Sequence, residues 1–164
     1  MKTFEAILSR RSIRLYTTKP IEEESISRIL QSAIWAPSGK NGQPWRFKII
    51  TEKHIIEEIS KLSIYSKWLK TAPCLIVVYL DKLQSYNYIK DIQSCGAAIQ
   101  NMLLAAYEIG IGSCWIGELL EKSSEINSLL EVDDSFELMA VVSFGYGRGI
   151  PMNSKRKNIA EFLM

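Results

Sequence analysis

The run PCLIVVYL, residues 73–80, is apolar from end to end. A strand with one face in water alternates polar and apolar residues. An unbroken run of this length reads as a central strand covered on both faces. The neighbouring segments supply candidate covers, because helical and extended patterns interleave along the chain and no linker splits it. Interleaving of this kind favours one layered domain of α/β or α+β type, over residues 1–164.

The spacing predicts a helix over 3–11, with Thr3 as cap and Phe4, Ile7, Leu8 and Arg11 on one face. A second helix covers 21–36, where Glu22, Glu23 and Glu24 favour the positive end and Pro37 stops it. APSGKNGQPW reads as a loop, and WRFKIIT, 45–51, as a strand. Residues 53–70 read as helix with a break near Ser63, and 91–109 as a long buried helix ended by Gly110. IGSCWIG is a short strand and turn. A helix over 123–130, capped by Ser123 or Ser124, precedes a last strand over 136–147. The long helix is apolar around much of its circumference, which hints at a homodimer.

The net charge of +2 is unevenly spread. Residues 1–19 carry five Lys or Arg against Glu5, and residues 148–164 carry four against Glu161, so the middle of the chain is acidic. Two short basic ends suit one small anion better than a nucleic acid, which needs a broader basic face. Cys74, Cys95 and Cys114 are scattered and His54 is the only histidine, so neither a disulfide framework nor a metal site is expected. His54 reads as an exposed residue at a helix start. No apolar run is long enough for a membrane span, and the N-terminus lacks a secretory pattern, so the expected location is cytoplasmic.

EIGIGSCWIG has the wrong glycine spacing for a dinucleotide fingerprint and follows a helix where a strand is required. No P-loop motif occurs. SRRSIR, residues 9–14, has two readings. Basic residues at a helix C-terminus favour its dipole, which accounts for Arg10 and Arg11 but not Arg14. A phosphate group accounts for all three, since guanidinium forks match its oxygens and Ser12 adds a donor.

Four stretches together, SRRSIRLY, APSGKNGQPWRFKII, QNMLLAAYEIGIGSCWIG and the basic KRK at 155–157, resemble the FMN-dependent nitroreductase family in wording, order and spacing. The resemblance spans Ile7 to Leu163. It implies an α+β three-layer sandwich, with a mixed, mostly antiparallel sheet flanked by helices, and an intertwined homodimer with FMN at the interface. By the same resemblance Arg10, Arg11, Ser12 and Arg14 would grip the FMN phosphate and ribityl chain, joined by Arg156 and, more weakly, Lys155. Pro37, Ser38 and Gly39, with Asn41 and Gln43, match the loop that reaches the flavin from the other subunit. Cys114, Trp115, Ile116 and Gly117 match the turn along the isoalloxazine, acting mainly through backbone groups.

The implied activity is transfer of two electrons from NADH or NADPH through flavin N5 to a small organic acceptor such as a nitro compound or quinone. No catalytic side chain is assigned, and Cys114 reads as a packing residue. Short length leaves residues 62–70 and 83–90 as candidate cover for the acceptor, with Tyr65, Trp68, Tyr86 and Tyr88 as stacking groups. Two rivals are a non-catalytic FMN-binding or storage protein of the same fold, and an anion-binding module acting on nucleic acid.

Overall fold

The computed structural model describes residues 2–149 and 154–164. Its elements are α1 (Thr3–Ser9), α2 (Glu23–Ile34), β1 (Trp45–Ile50), α3 (Lys53–Lys61), α4 (Ser66–Leu69), β2 (Cys74–Asp81), α5 (Tyr88–Glu108), β3 (Gly112–Ile116), α6 (Ser123–Leu129) and β4 (Phe136–Gly145). Short 3-10 turns stand at Gly39–Asn41, Glu118–Lys122 and Ile159–Phe162.

The apolar run is the centre of the fold. Every residue of β2 is buried. Its alternate side chains enter two separate cores. Cys74, Ile76, Val78 and Leu80 pack with α2 and α5, while Leu75, Val77 and Tyr79 pack with α3, α4 and α6. This is the three-layer α+β sandwich. The strand order is β1-β2-β4-β3, and all three pairings are antiparallel. Among the described residues the parallel component is a single bridge between Ser12 and Ser113. Among the described residues no helix is long and apolar enough to cross a membrane, and no cluster of His, Cys, Asp and Glu suits a metal ion.

Several expected details differ. The α1 helix ends at Ser9, because Arg10 leaves the helical region at φ −55° and ψ 133°. Lys2, not Thr3, is its N-cap residue, and its backbone N–H donates to the Glu5 carboxylate. Phe4, Ile7 and Leu8 are 50–70% exposed within the single chain, and only Ala6 of that helix is buried. The 53–70 helix breaks after Lys61 as expected, into α3 and α4. The long helix starts at Tyr88, three residues early, because Asn87 caps the N–H of Lys90 and the Asp91 carboxylate accepts from Ser85, Tyr86 and Asn87. Neither Ser123 nor Ser124 caps α6; the N-cap residue is Lys122.

At the end of β4 the backbone of Gly145 runs against Pro73 and Tyr16. A Cβ there would lie 2.6 Å from Pro73 Cδ and 2.7 Å from the Tyr16 ring. Gly145→Ala is expected to lower the thermal midpoint by about 6 °C, read by thermal unfolding, since a rigid proline ring and a buried tyrosine have nowhere to move. An unchanged midpoint would mean that this corner is loosely packed.

Candidate functional site

Beyond α1 the chain runs extended along β3 and past the end of β4. The Ile13 N–H donates to Ser113 O at 2.9 Å, Thr17 N–H to Tyr146 O at 2.9 Å, and Arg148 N–H to Leu15 O at 2.9 Å. Tyr16 fastens this segment from inside. Its hydroxyl donates to Ile13 O at 2.7 Å and meets Ser143 Oγ at 2.8 Å. Burial pushes the phenol well above its usual pKa, so it stays protonated. The sequence reading did not single out Tyr16. Its only signal was an aromatic residue beside Ile13 and Leu15 in an arginine-rich stretch.

The arginines of the segment take different places. Arg11 donates to Leu8 O at 2.6 Å and Arg10 O at 2.9 Å, closing the carbonyl end of α1. Burial first, and then the positive charges of Arg11 and Arg156, hold the Arg10 guanidinium below its ordinary value. Arg10 and Arg156, from the two basic ends of the chain, are thus near enough for their charges to act on each other. Burial raises the Cys114 thiol, and this is opposed by Arg14, by the Ser12 hydroxyl and by Arg10, which all stand beside it. Among the described residues none of Arg10, Arg11, Arg14 or Arg156 forms an ion pair with a carboxylate. Cations gathered without a counter-charge repel one another, and an anion of about two charges relieves that cost. Lys155, exposed, adjoins Arg156 and offers its carbonyl to that guanidinium at 3.1 Å.

Next to this cluster lies the outer edge of β3. Antiparallel strands direct the backbone groups of alternate residues away from their partner. Ser113 O faces outward, since it accepts from Ile13, and so by alternation do the N–H and C=O of Trp115. Gly117 follows and opens the turn Glu118–Lys122. Cys114 and Ile116 are buried, whereas Trp115 is 42% exposed. This edge offers backbone donors and acceptors beside the basic cluster.

Pro37, Ser38, Gly39, Asn41 and Gln43 lie elsewhere. Their loop precedes β1, whose Trp45 pairs with Leu80 near the Asp81 and Phe136 end of the sheet. The basic cluster sits at the Gly112 and Gly145 end, on the opposite edge strand. Strand geometry separates the two by roughly 25 Å along the strands and about 14 Å across them. The loop is held in an unusual shape. Lys40, Asn41 and Gln43 have φ of 54°, 54° and 48°, and the Gln43 N–H donates to Ser38 Oγ at 3.1 Å. Left-handed backbone at three non-glycine positions is costly and collects at functional sites. The Tyr86 ring packs directly on Gly39, and Tyr88, on the same side, bonds Glu137. Tyr65 and Trp68 pair at 5.8 Å on the other side, near the turn after β3. The apolar groove of about 640 Å³ between α2 and β1 is lined by none of the site candidates.

Comparison with known proteins gives a consistent picture. The profile described as the nitroreductase family matches residues 7–64 and 60–146. A protein of Archaeoglobus fulgidus, provisionally named an NADH dehydrogenase/NAD(P)H nitroreductase, is 38% identical over 143 residues, covering 85% of this chain and 82% of that protein. A protein of Methanothermobacter thermautotrophicus with the same provisional name is 34% identical over 150 residues, covering 89% and 78%. The crystal structure of a provisionally assigned nitroreductase from Desulfovibrio desulfuricans, in complex with FMN, matches with a TM-score of 0.95 at 35% identity, covering 100% of this chain and 96% of that one.

Proposed function

The chain belongs to the nitroreductase family of oxidoreductases, and on that premise we propose that it is an FMN-dependent NAD(P)H oxidoreductase acting as a homodimer, one domain per chain, in the cytoplasm. The observation that carries the reading is a basic cluster in which Arg156 acts on Arg10, and Arg10, Arg14 and Ser12 act on Cys114, with no ion pair from these arginines to a carboxylate among the described residues. The donor set fits a phosphate monoester, and FMN is what the Desulfovibrio protein holds.

Arg10, Arg14 and Arg156 bind the phosphate, with the Ser12 hydroxyl as a further donor. Arg11 closes α1 and adds charge at short range, and Lys155 adds charge at the rim. The outward backbone groups of Trp115, with Cys114, Ile116 and Gly117 of the same strand and turn shaping that edge, orient the ring and set its electronics. The loop of Pro37, Ser38, Gly39, Asn41 and Gln43 completes the site of a second copy, because it cannot reach the basic cluster of its own chain. Exposed Phe4, Ile7 and Leu8 of α1, with Ile159 and Phe162 near the C-terminus, supply apolar surface for that second copy. FMN held there would supply two-electron redox chemistry between NADH or NADPH and a small organic acceptor. The chain needs no side-chain nucleophile for this, and the Cys114 thiol, its pKa raised by burial, stays protonated near neutral pH.

The test is anaerobic mixing of the purified protein with NADH and with NADPH. A yellow protein whose visible flavin band bleaches with at least one of them is the expected result. Retained flavin that neither donor bleaches would favour a storage role. A colourless protein that takes up no added FMN would refute the reading.

A further inference from the structure

The turn between α3 and α4, residues 62–66, is tied to the end of β3 by one side chain. Glu118, the residue after Gly117, accepts from Ser63 Oγ at 2.8 Å and from the Ile64 N–H at 3.0 Å. Ser63 is buried, and its Oγ also accepts from the Tyr65 N–H at 3.0 Å. The end of α4, which follows the turn, is pinned separately. The Thr71 hydroxyl donates to Trp68 O at 2.6 Å and accepts from the Tyr16 N–H at 3.2 Å. Residues 62–71 are thus fastened to the β3 turn at one end and to the basic loop at the other. Between these two fixings they present apolar surface to water. Ile64 is 78% exposed and Tyr65 is 42% exposed.

We propose that Glu118 is a positioning residue for the electron acceptor: its carboxylate clamps the 62–66 turn onto the end of β3, so that Ile64 and Tyr65 form an apolar, aromatic wall selecting flat, poorly charged acceptors. The inference rests on the reading of β3 as the ring-facing edge. A carboxylate suits this task because it accepts from a hydroxyl and a backbone N–H at once, which no apolar or cationic side chain does. Trp68 backs the wall, with its ring 5.8 Å from that of Tyr65 and tilted by 38°. The same wall gives a polar or highly charged acceptor nothing to stack on.

The experiment compares the wild-type holoprotein with Glu118→Ala and Glu118→Gln, using NADH as donor. Menadione serves as the flat acceptor, and ferricyanide as one that takes electrons without stacking. Glu118→Ala is expected to raise the KM for menadione about tenfold while ferricyanide turnover stays within about twofold of wild type. Glu118→Gln, which can still accept from Ile64, is expected to recover part of that loss. Amide hydrogen exchange, read with and without added FMN, is expected to speed up at Ile64 and Tyr65 in Glu118→Ala. Equal losses with both acceptors would overturn the proposal in favour of a purely structural bond. So would unchanged menadione kinetics together with unchanged exchange. A wild-type protein that neither holds flavin nor oxidises NADH overturns the functional reading and the acceptor role together, and exchange at Ile64 then judges the clamp by itself.

Discussion

Replacing Arg10 and Arg14 together with alanine is expected to leave a folded chain that no longer takes up FMN. Each guanidinium offers charge-assisted bonds to phosphate, and losing two of them is expected to weaken FMN binding by at least about a hundredfold. The fold does not depend on them in the same way. Burial and the like charges of Arg11 and Arg156 lower the Arg10 pKa. A group whose pKa is lower in the folded than in the unfolded state, and which is still charged near pH 7, opposes folding there. Its removal relieves repulsion when no anion is bound. The flavin-free double variant is therefore expected to unfold at the same temperature as flavin-free wild type or slightly above it. The ratio of flavin to protein absorbance after purification gives the first result, and thermal unfolding of stripped protein gives the second. Full flavin occupancy in the double variant would place the phosphate elsewhere.

How far these residues were legible in the chain differs from one to the next. The run 73–80 announced β2 because burial on both faces leaves a local signature, the loss of polar alternation. The basic ends suggested a shared anion because the charge count needs no geometry, and in the structure the charge of Arg156 acts on Arg10. The division of labour among the arginines was not legible. Whether Arg11 bonds an external phosphate or the carbonyls of Leu8 and Arg10 depends on where α1 stops, and helix ends are weakly encoded. Tyr16 and Glu118 were missed for a related reason. Their partners, Ser143 in one case and Ser63 with Ile64 in the other, lie 54 or more residues away, and no local pattern marks such a pairing. The α1 stripe shows the opposite failure. Phe4, Ile7 and Leu8 have the periodicity of a buried face, yet the single chain leaves them in water. Periodicity reports that a face is to be covered and is silent on which chain covers it.

Two different damaged chains, each unable to hold flavin alone, are expected to hold it when they are produced together. The first carries Arg10→Ala and Arg14→Ala and so lacks the phosphate grip. The second carries Gly39→Val. A Cβ at Gly39 would fall 2.0 Å from Tyr86 Oη and 2.7 Å from ring carbons of the same residue. The β-branched side chain must displace either the tyrosine or the loop. If the loop of one chain completes the cluster of the other, a mixed dimer contains one site built from an undamaged cluster and an undamaged loop. Its second site combines both defects. Mixed dimers isolated by two different affinity tags are then expected to carry about one FMN per dimer, against about two for wild type and close to none for either damaged homodimer. The sheet geometry makes this outcome specific. A loop at the Asp81 end of one edge strand lies too far from Ser12 at the Gly112 end of the other edge to serve its own chain. Mixed dimers without flavin would mean that loop and cluster act within a single chain, and the antiparallel register that separates them would then have to be wrong.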